Sequence, residues 1–357
     1  MVEPKQALEA ISFFAGNRFD LVQAGGGNTS VKIDDQTMLV KASGINLSEV
    51  TETKGYVPVD YQSIRDFLAN YDFTFHDKKQ REQAANEAMN DSRLSESGKP
   101  SIETFLHALL GTHTLHTHPV SINVLAAQRN WKHALLAIWP DAICVPYHTP
   151  GIDLALAMAQ EMNAYTAKHG HFPKVVFLQN HGLIVSSNDP TEVVELTNEV
   201  TQLIEQDLGM DLNRYRNVTP LQNLLQQCGF NGVSMVCNDD SVIQNNLFNE
   251  DPATRIWPFC PDTLIYCGVR PVFLNSLNDQ ASIKKYVDMY QDHPKVLVVD
   301  QQVYFCANTL KKAREAQDLF KFHLMVTQHT QEDLQRLKLS EVAYLSNWDA
   351  EKYRQGV

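Results

Sequence analysis

The chain has 357 residues, of which 43% are hydrophobic and 20% charged, values that suit a globular protein of about two domains and exclude a disordered or fibrous one. Its formal net charge is −12 and no cluster of Lys and Arg interrupts it, so the electrostatic footprint of a nucleic-acid binder is missing. An anionic substrate would have to be captured locally, by backbone amides, a few side chains or a metal ion.

Residues 5–15 carry the apolar spacing of an amphipathic helix, which Gly25-Gly26-Gly27 breaks before an alternating run from Thr29 to Ile33. Met38 to Lys41 can pair with that run as a hairpin. The start of the chain has acidic residues and helical spacing where a secretory leader would be basic and then apolar. No stretch reaches the roughly 18 apolar residues of a membrane span. Six cysteines without a C-x-x-C pair read as reduced thiols, which points to the cytosol. Residues 60–70 are expected to be helical. The polar stretch from His76 to Lys99 reads as a mobile excursion or a surface helix.

Pro100-Ser101-Ile102-Glu103 is expected to open the next helix, with proline where its missing N–H costs least and an acidic residue in the first turn. A strand from Thr114 to His118, a helix near Ile122 to Gln128, a strand near Ala142 to Val145 and a helix from Ile152 to His169 follow. Lys174 to Leu178 and Leu183 to Ser187 are apolar strands joined by the turn Gln179-Asn180-His181-Gly182, and Pro190 to Leu208 is a long helix. Beyond a soft boundary at Asn217 to Pro220, strands are expected at Thr263 to Cys267, Lys295 to Val299 and Val303 to Ala307, with a helix from Leu310 to Gln328.

Positions two apart on a strand point to one face, so His116 and His118 can offer two imidazoles to one ion while His113 points away. His181 sits in a tight turn, where Gly, Asn and Asp are the usual choices and an imidazole needs a reason. Three imidazoles leave a zinc-like ion one open position, the mark of a catalytic site. His169 and His171 form another H-x-H, but Gly170 and Pro173 place them in a loop. Glu103, at a helix start, is either a carboxylate projecting into a cleft or a charge that stabilises the helix end. His107, one turn later, reads as a structural partner. Gly25 to Gly27 with Asn28, Thr29 and Ser30, and the turn Lys41-Ala42-Ser43-Gly44, are candidate anion sites, although such clusters are first of all turns.

The succession Gly27-Asn28-Thr29-Ser30, Lys41-Ala42-Ser43-Gly44, Pro100-Ser101-Ile102-Glu103, His116-Thr117-His118-Pro119 and Asn180-His181-Gly182, over residues 8–210, resembles the class II aldolase/adducin family. The stretch from Pro100 to Pro119, with Val145 to Gly151, is most similar to the aldolase half of bifunctional rhamnulose-1-phosphate aldolase/dehydrogenase proteins; no counterpart of the dehydrogenase half is found. The resemblance implies an α/β fold: a three-layer αβα domain with a central mixed, mainly antiparallel sheet over residues 1–215, and a C-terminal α+β extension over residues 216–357.

Carried over residue by residue, the resemblance implies that His116, His118 and His181 bind Zn2+ or another divalent transition metal and that Glu103 is the catalytic carboxylate. Asn28, Thr29, Ser43, Gly44 and Ser101 are implied to bind phosphate. Ile102 departs from the pattern, standing where the short fuculose-phosphate type has a hydroxyl that helps hold phosphate. The tyrosine that serves as acid in that type has no clear counterpart. The implied reaction is cleavage of a ketose 1-phosphate such as rhamnulose 1-phosphate to dihydroxyacetone phosphate and lactaldehyde, in a homo-oligomer expected to be a tetramer. Epimerases, a dehydratase and decarboxylases share the scaffold. A non-catalytic binding module like the adducin head is the reading of another class; it predicts loss of the metal ligands, all of which this chain keeps.

Overall fold

The computed structural model describes residues 2–74, 76–248, 256–330 and 334–346. The chain divides into two compact units, Met1–Leu212 and Asn213–Val357.

The first unit opens with helix α1 (Pro4–Gly16), with proline in its first turn and Ala7, Leu8, Ile11 and Phe14 buried along one side. Strands β1 (Asn28–Lys32) and β2 (Thr37–Lys41) form a hairpin with Ser30 opposite Val40. Strand β3 (Tyr56–Asp60) runs straight into α2 (Tyr61–Asn70), because the Asp60 carboxylate accepts the Ser63 N–H and caps the helix, a contact worth about 1 kcal/mol. The polar stretch after it is a surface helix, α3 (Lys78–Asp91), opened by a capping box between Asp77 and Gln80 and burying Ala85 and Met89.

Helix α4 (Thr104–Leu109), strand β4 (His113–Thr117), helices α5 (Val120–Ala126) and α6 (Trp131–Ile138) and strand β5 (Ile143–Val145) follow. Helix α7 (Ile152–His169), strands β6 (Val175–Leu178) and β7 (Gly182–Ser187) and helix α8 (Pro190–Leu208) complete the unit. The seven strands lie in the order β3-β2-β1-β4-β7-β6-β5. Every neighbouring pair is antiparallel except β5 with β6. The period-2 rule divides the core: Val176, Leu178 and Ile184 pack on the face covered by α2, α3, α4 and α7, while Val175, Phe177, Leu183 and Val185 pack under α1, α5, α6 and α8. The result is the expected three-layer αβα arrangement around a mixed, mainly antiparallel sheet.

The second unit is α+β. Strands β8 (Ser234–Cys237), β9 (Val272–Phe273), β10 (Val296–Val299) and β11 (Gln302–Ala307) form a sheet in the order β8-β11-β10-β9. Val296, Val298, Val303 and Phe305 pack against Ala316, Phe320 and Leu324 of the helix Leu310–Thr330. Asn217 to Pro220 lies at the start of the helix Val218–Gln227.

Two expectations are corrected. Thr263 to Cys267 is not a strand but the body of the helix Pro261–Cys267, whose proline and Asp262 occupy its first turn and whose end falls at Gly268, φ +74°. The helix expected to open at Pro100 begins at Thr104, because Pro100 is drawn into a β-bridge with Ala42. Among the described residues, no helix is long and apolar enough to cross a membrane, and all six cysteines are free.

Candidate metal centre

The sheet topology brings three separated segments to one place. On β4, His116 faces the same side as Thr114, and across the β1–β4 pairing it stands opposite Asn28. His118 lies just past the strand end, and its N–H donates to the Leu21 carbonyl at 2.8 Å. A Cβ on Gly26 would sit 2.7 Å from the His118 ring, so only glycine lets that loop pass so close. His181 occupies the turn from β6 to β7, where Asn180 takes a left-handed conformation, φ +54°. Gly182 follows because a Cβ there would fall 2.2 Å from the Thr117 carbonyl. Glu103 is the N-cap residue of α4, yet its side chain makes no cap hydrogen bond and turns toward the histidines.

The donor atoms converge. His116 Nε2 lies 3.1 Å from His118 Nε2 and 3.3 Å from His181 Nε2, and Glu103 Oε1 lies 3.2 Å from both His116 Nε2 and His181 Nε2. Ligands about 2.0–2.1 Å from a tetrahedral ion stand about 3.3–3.4 Å apart, so these separations are those of a coordination shell. His116 Nδ1 is 3.0 Å from the Leu183 carbonyl; it must be the protonated nitrogen, which leaves the Nε2 lone pair facing the cluster. The donor set therefore fits a divalent ion of the zinc class. Among the described residues, no other group of three or more His, Cys, Asp or Glu side chains converges in this way.

Electrostatics agree with the geometry. Burial and the neighbouring imidazoles push His118 down to about 3, so at neutral pH it is neutral, as a ligand must be. Burial works against charge on both His116 and Glu103, but their pairing outweighs it: His116 is held above its ordinary value and Glu103 well below. Below that raised value His116 carries a second proton on Nε2, which an incoming ion must displace. Metal affinity is therefore expected to fall about tenfold per pH unit once the pH drops below the raised His116 pKa, with a proton released on binding. Calorimetric titration in buffers of different ionisation enthalpy checks this; an affinity unchanged between about pH 5 and 7 would contradict it.

The anticipated anion-binding residues are only partly assembled. Asn28 is fully buried on the face that carries His116, and both polar atoms of its amide lack a protein partner. Thr29 faces the other side of the sheet, where its hydroxyl is 2.7 Å from that of Ser12. The Ala42–Pro100 bridge sets the exposed turn Ser43-Gly44 beside Ser101, whose hydroxyl accepts the Glu103 N–H at 3.3 Å. Lys41 is buried close by, its ammonium donating to the Ile45 carbonyl at 2.6 Å. Ile102 is 56% exposed.

Gly26 and Gly27 pack tightly against His118, Leu47 and Val22 rather than forming an open nest. Buried His107 has Nδ1 2.7 Å from the Ser30 hydroxyl and is pushed down to about 3 by burial, as suits a neutral structural partner. His113 stands outside the cluster, and His169 and His171 pack on the Tyr165 ring.

Sequence reasoning missed the residues that hold the ligands. Asn123 donates to the His181 carbonyl at 3.1 Å. A fully buried Arg18–Asp20 ion pair, with Arg18 also donating to Asn198 at 2.7 Å, fixes the segment whose Asp20 and Leu21 carbonyls accept the N–H groups of Val120 and His118. None carries a sequence signal, because each meets its partner only through the order of the sheet.

Residues 8–208 match the family model of the Class II Aldolase and Adducin N-terminal domain. Among curated proteins, the chain is similar to the Uncharacterized oxidoreductase YuxG of Bacillus subtilis (strain 168), with 24% identity over 320 residues, 80% of this chain and 44% of that protein. It thus spans less than half the length of that relative. Among solved structures, it is similar to the N-terminal Class II Aldolase domain of a conserved protein from Thermoplasma acidophilum, at 24% identity and a TM-score of 0.48 over 57% of this chain and 92% of that one. It is also similar to L-fuculose-1-phosphate aldolase from Thermus thermophilus, at 16% identity and a TM-score of 0.35 over 57% and 91%.

Proposed function

The chain belongs to the class II aldolase and adducin family, and from that premise we propose that it is a metal-dependent lyase. In this reading it cleaves a ketose 1-phosphate, such as rhamnulose 1-phosphate, to dihydroxyacetone phosphate and an aldehyde. The observation that carries the proposal is the convergence of three imidazole nitrogens and one carboxylate oxygen at ligand spacing. His116, His118 and His181 would hold the ion. When bound, a divalent metal supplies Lewis-acid stabilisation of the charge that the ketose oxygens acquire as the C3–C4 bond breaks.

Glu103 handles the proton. Its carboxyl is held well below the usual range, against the effect of burial, by His116 and His181, so at neutral pH it is the ionised base that can take a proton from C3 of the ketone. In the cleavage direction the C4 hydroxyl gives up a proton as the C3–C4 bond breaks and its carbon becomes the aldehyde, and protonated Glu103 delivers the matching proton to C3. The phosphate falls to Ser43, Gly44 and Ser101, with the buried Lys41 ammonium adding positive charge to an otherwise acidic chain. The unpartnered Asn28 amide supports a polar ligand beside His116, since burying an unsatisfied amide costs about 1–3 kcal/mol.

The test is proton exchange. With metal bound and no aldehyde present, the protein is expected to replace a C3 proton of dihydroxyacetone phosphate with solvent deuterium, followed by proton NMR. Exchange should slow when the phosphate is absent from the ketone, because binding energy remote from the reacting carbon positions it. An unlabelled ketone at millimolar concentration would overturn the aldolase reading in favour of an epimerase, a dehydratase or another enolate chemistry of the family.

A further inference from the structure

The second unit repeats the half of the first that carries the metal ligands. From α4 to α8 the first unit runs helix, strand, helix, helix, strand, helix, strand, strand, helix, and the described residues between Val218 and Thr330 give the same nine elements in the same order. The sheet order β4-β7-β6-β5 returns as β8-β11-β10-β9. The directions return with it: antiparallel, antiparallel, then parallel. β6 and β10 have four residues each and both follow Pro-Lys; β7 and β11 have six each, and the next helix opens after two more residues in both units. The faces agree too. Val175, Phe177, Leu183 and Val185 correspond to Val296, Val298, Val303 and Phe305, and each set lies on the face covered by the helix that follows. A helix crossing between parallel strands is common, but it does not by itself demand this order, register and spacing.

The pairing fixes which residues correspond. His116 stands opposite Ile184, the third residue of β7, and Cys237 stands opposite Tyr304, the third residue of β11. Cys237 is therefore the counterpart of His116, and Asp239, two residues on, that of His118. Counted back from β11, Gln301 answers to His181, but the turn is shorter. Three residues separate Leu178 from Gly182, whereas two separate Val299 from Gln302. Those two, Asp300 and Gln301, have φ of +49° and +58°, as a tight two-residue hairpin requires. Two ligand positions thus keep a metal-binding residue type and the third does not.

A fixed cation stands beside them. The Arg214 guanidinium lies 3.1 Å from the Asp239 carboxylate and donates to the Tyr215 hydroxyl at 2.8 Å, which in turn donates to Asp239 at 2.7 Å. The Tyr304 hydroxyl, on the residue opposite Cys237, donates to the Arg214 carbonyl at 3.0 Å. A guanidinium is charged at every physiological pH and needs no loading. We propose that the second unit is a degenerate copy of the metal half of the first, in which Arg214 has taken the place of the ion, leaving a non-catalytic module that needs no metal. The inference rests on the three histidines of the first unit being metal ligands, and not on the reaction assigned to them.

The test uses the full chain with His181→Ala, so that the first centre is disabled in every sample. In that background Arg214→Ala is expected to uncover Cys237 and Asp239 and to take up about one more Cd2+ per chain, a soft ion that favours thiolate. Elemental analysis after dialysis gives the stoichiometry, and the ultraviolet thiolate-to-cadmium band identifies the ligand. The added ion and its band should be absent when Arg214 is retained and lost again in Arg214→Ala with Cys237→Ser. A folded Arg214→Ala chain that gains no Cd2+ overturns the proposal, as does equal uptake with Arg214 in place. If Arg214→Ala melts early for want of a cation, Cd2+ about a hundredfold above its Kd should raise its melting temperature by about 5 °C and leave the Arg214 parent unmoved; no such rise also overturns it. Metal kept by the His181→Ala parent would instead count against the ligand assignment in the first unit, so the two failures are read separately.

Discussion

Replacing His116, His118 or His181 by alanine is expected to take the purified protein from about one divalent ion per chain to near none, because a site with three protein imidazoles rarely holds its metal on two. Activity should fall with metal content. The three variants are not equivalent structurally. His116 is fully buried and its ring N–H satisfies the Leu183 carbonyl, so His116→Ala also strands a buried acceptor, at a cost of about 1–3 kcal/mol. His181 is 17% exposed, which makes His181→Ala the cleaner test of coordination. Elemental analysis after dialysis, read beside a thermal melt, separates lost metal from lost fold. Full retention of metal in all three variants would sink the assignment.

The site was legible where its chemistry is local. His116 and His118 are two apart at a strand end, and His181 is an imidazole in a turn that favours other residues; those are properties of short segments. Glu103 was found for a reason that the structure modifies. It stands at the N-cap position of α4 rather than inside its first turn, since the Ala42–Pro100 bridge delays the helix, and because its side chain makes no cap hydrogen bond it can reach the histidines.

Asn28 and Thr29 differ in what the sheet does with them. On one strand Asn28 and Thr29 must face opposite sides, so a sheet face that carries the metal cluster takes one of them, and pairing with His116 decides for Asn28. By contrast, Asn123, Leu21 and Leu183 could not have been read. Their bonds to the ligand residues follow from strand order, which alternation along each strand leaves open. The short run Thr263 to Cys267 is helical for another reason: seven residues of helix and five of strand look alike by periodicity, and only Pro261 and Asp262 in its first turn mark it as a helix.

Glu103→Gln is expected to slow both deuterium exchange and cleavage by about 10²–10⁴, the range for removing a general acid/base, while leaving metal content near one per chain. The amide is nearly isosteric, so it preserves the packing at the head of α4, but it cannot take up the C3 proton. The same substitution removes the carboxylate that holds the His116 imidazole above its ordinary pKa, so His116 should lose its proton at lower pH and metal affinity should persist further into acid than in the wild type. That second readout matters because a helix-end charge would not move it. A variant as active as the parent would reduce Glu103 to such a charge. A variant that retained fold but lost its metal would make Glu103 a fourth ligand, consistent with an Oε1 placed 3.2 Å from two imidazole nitrogens, and the proton would then have to be carried by another group.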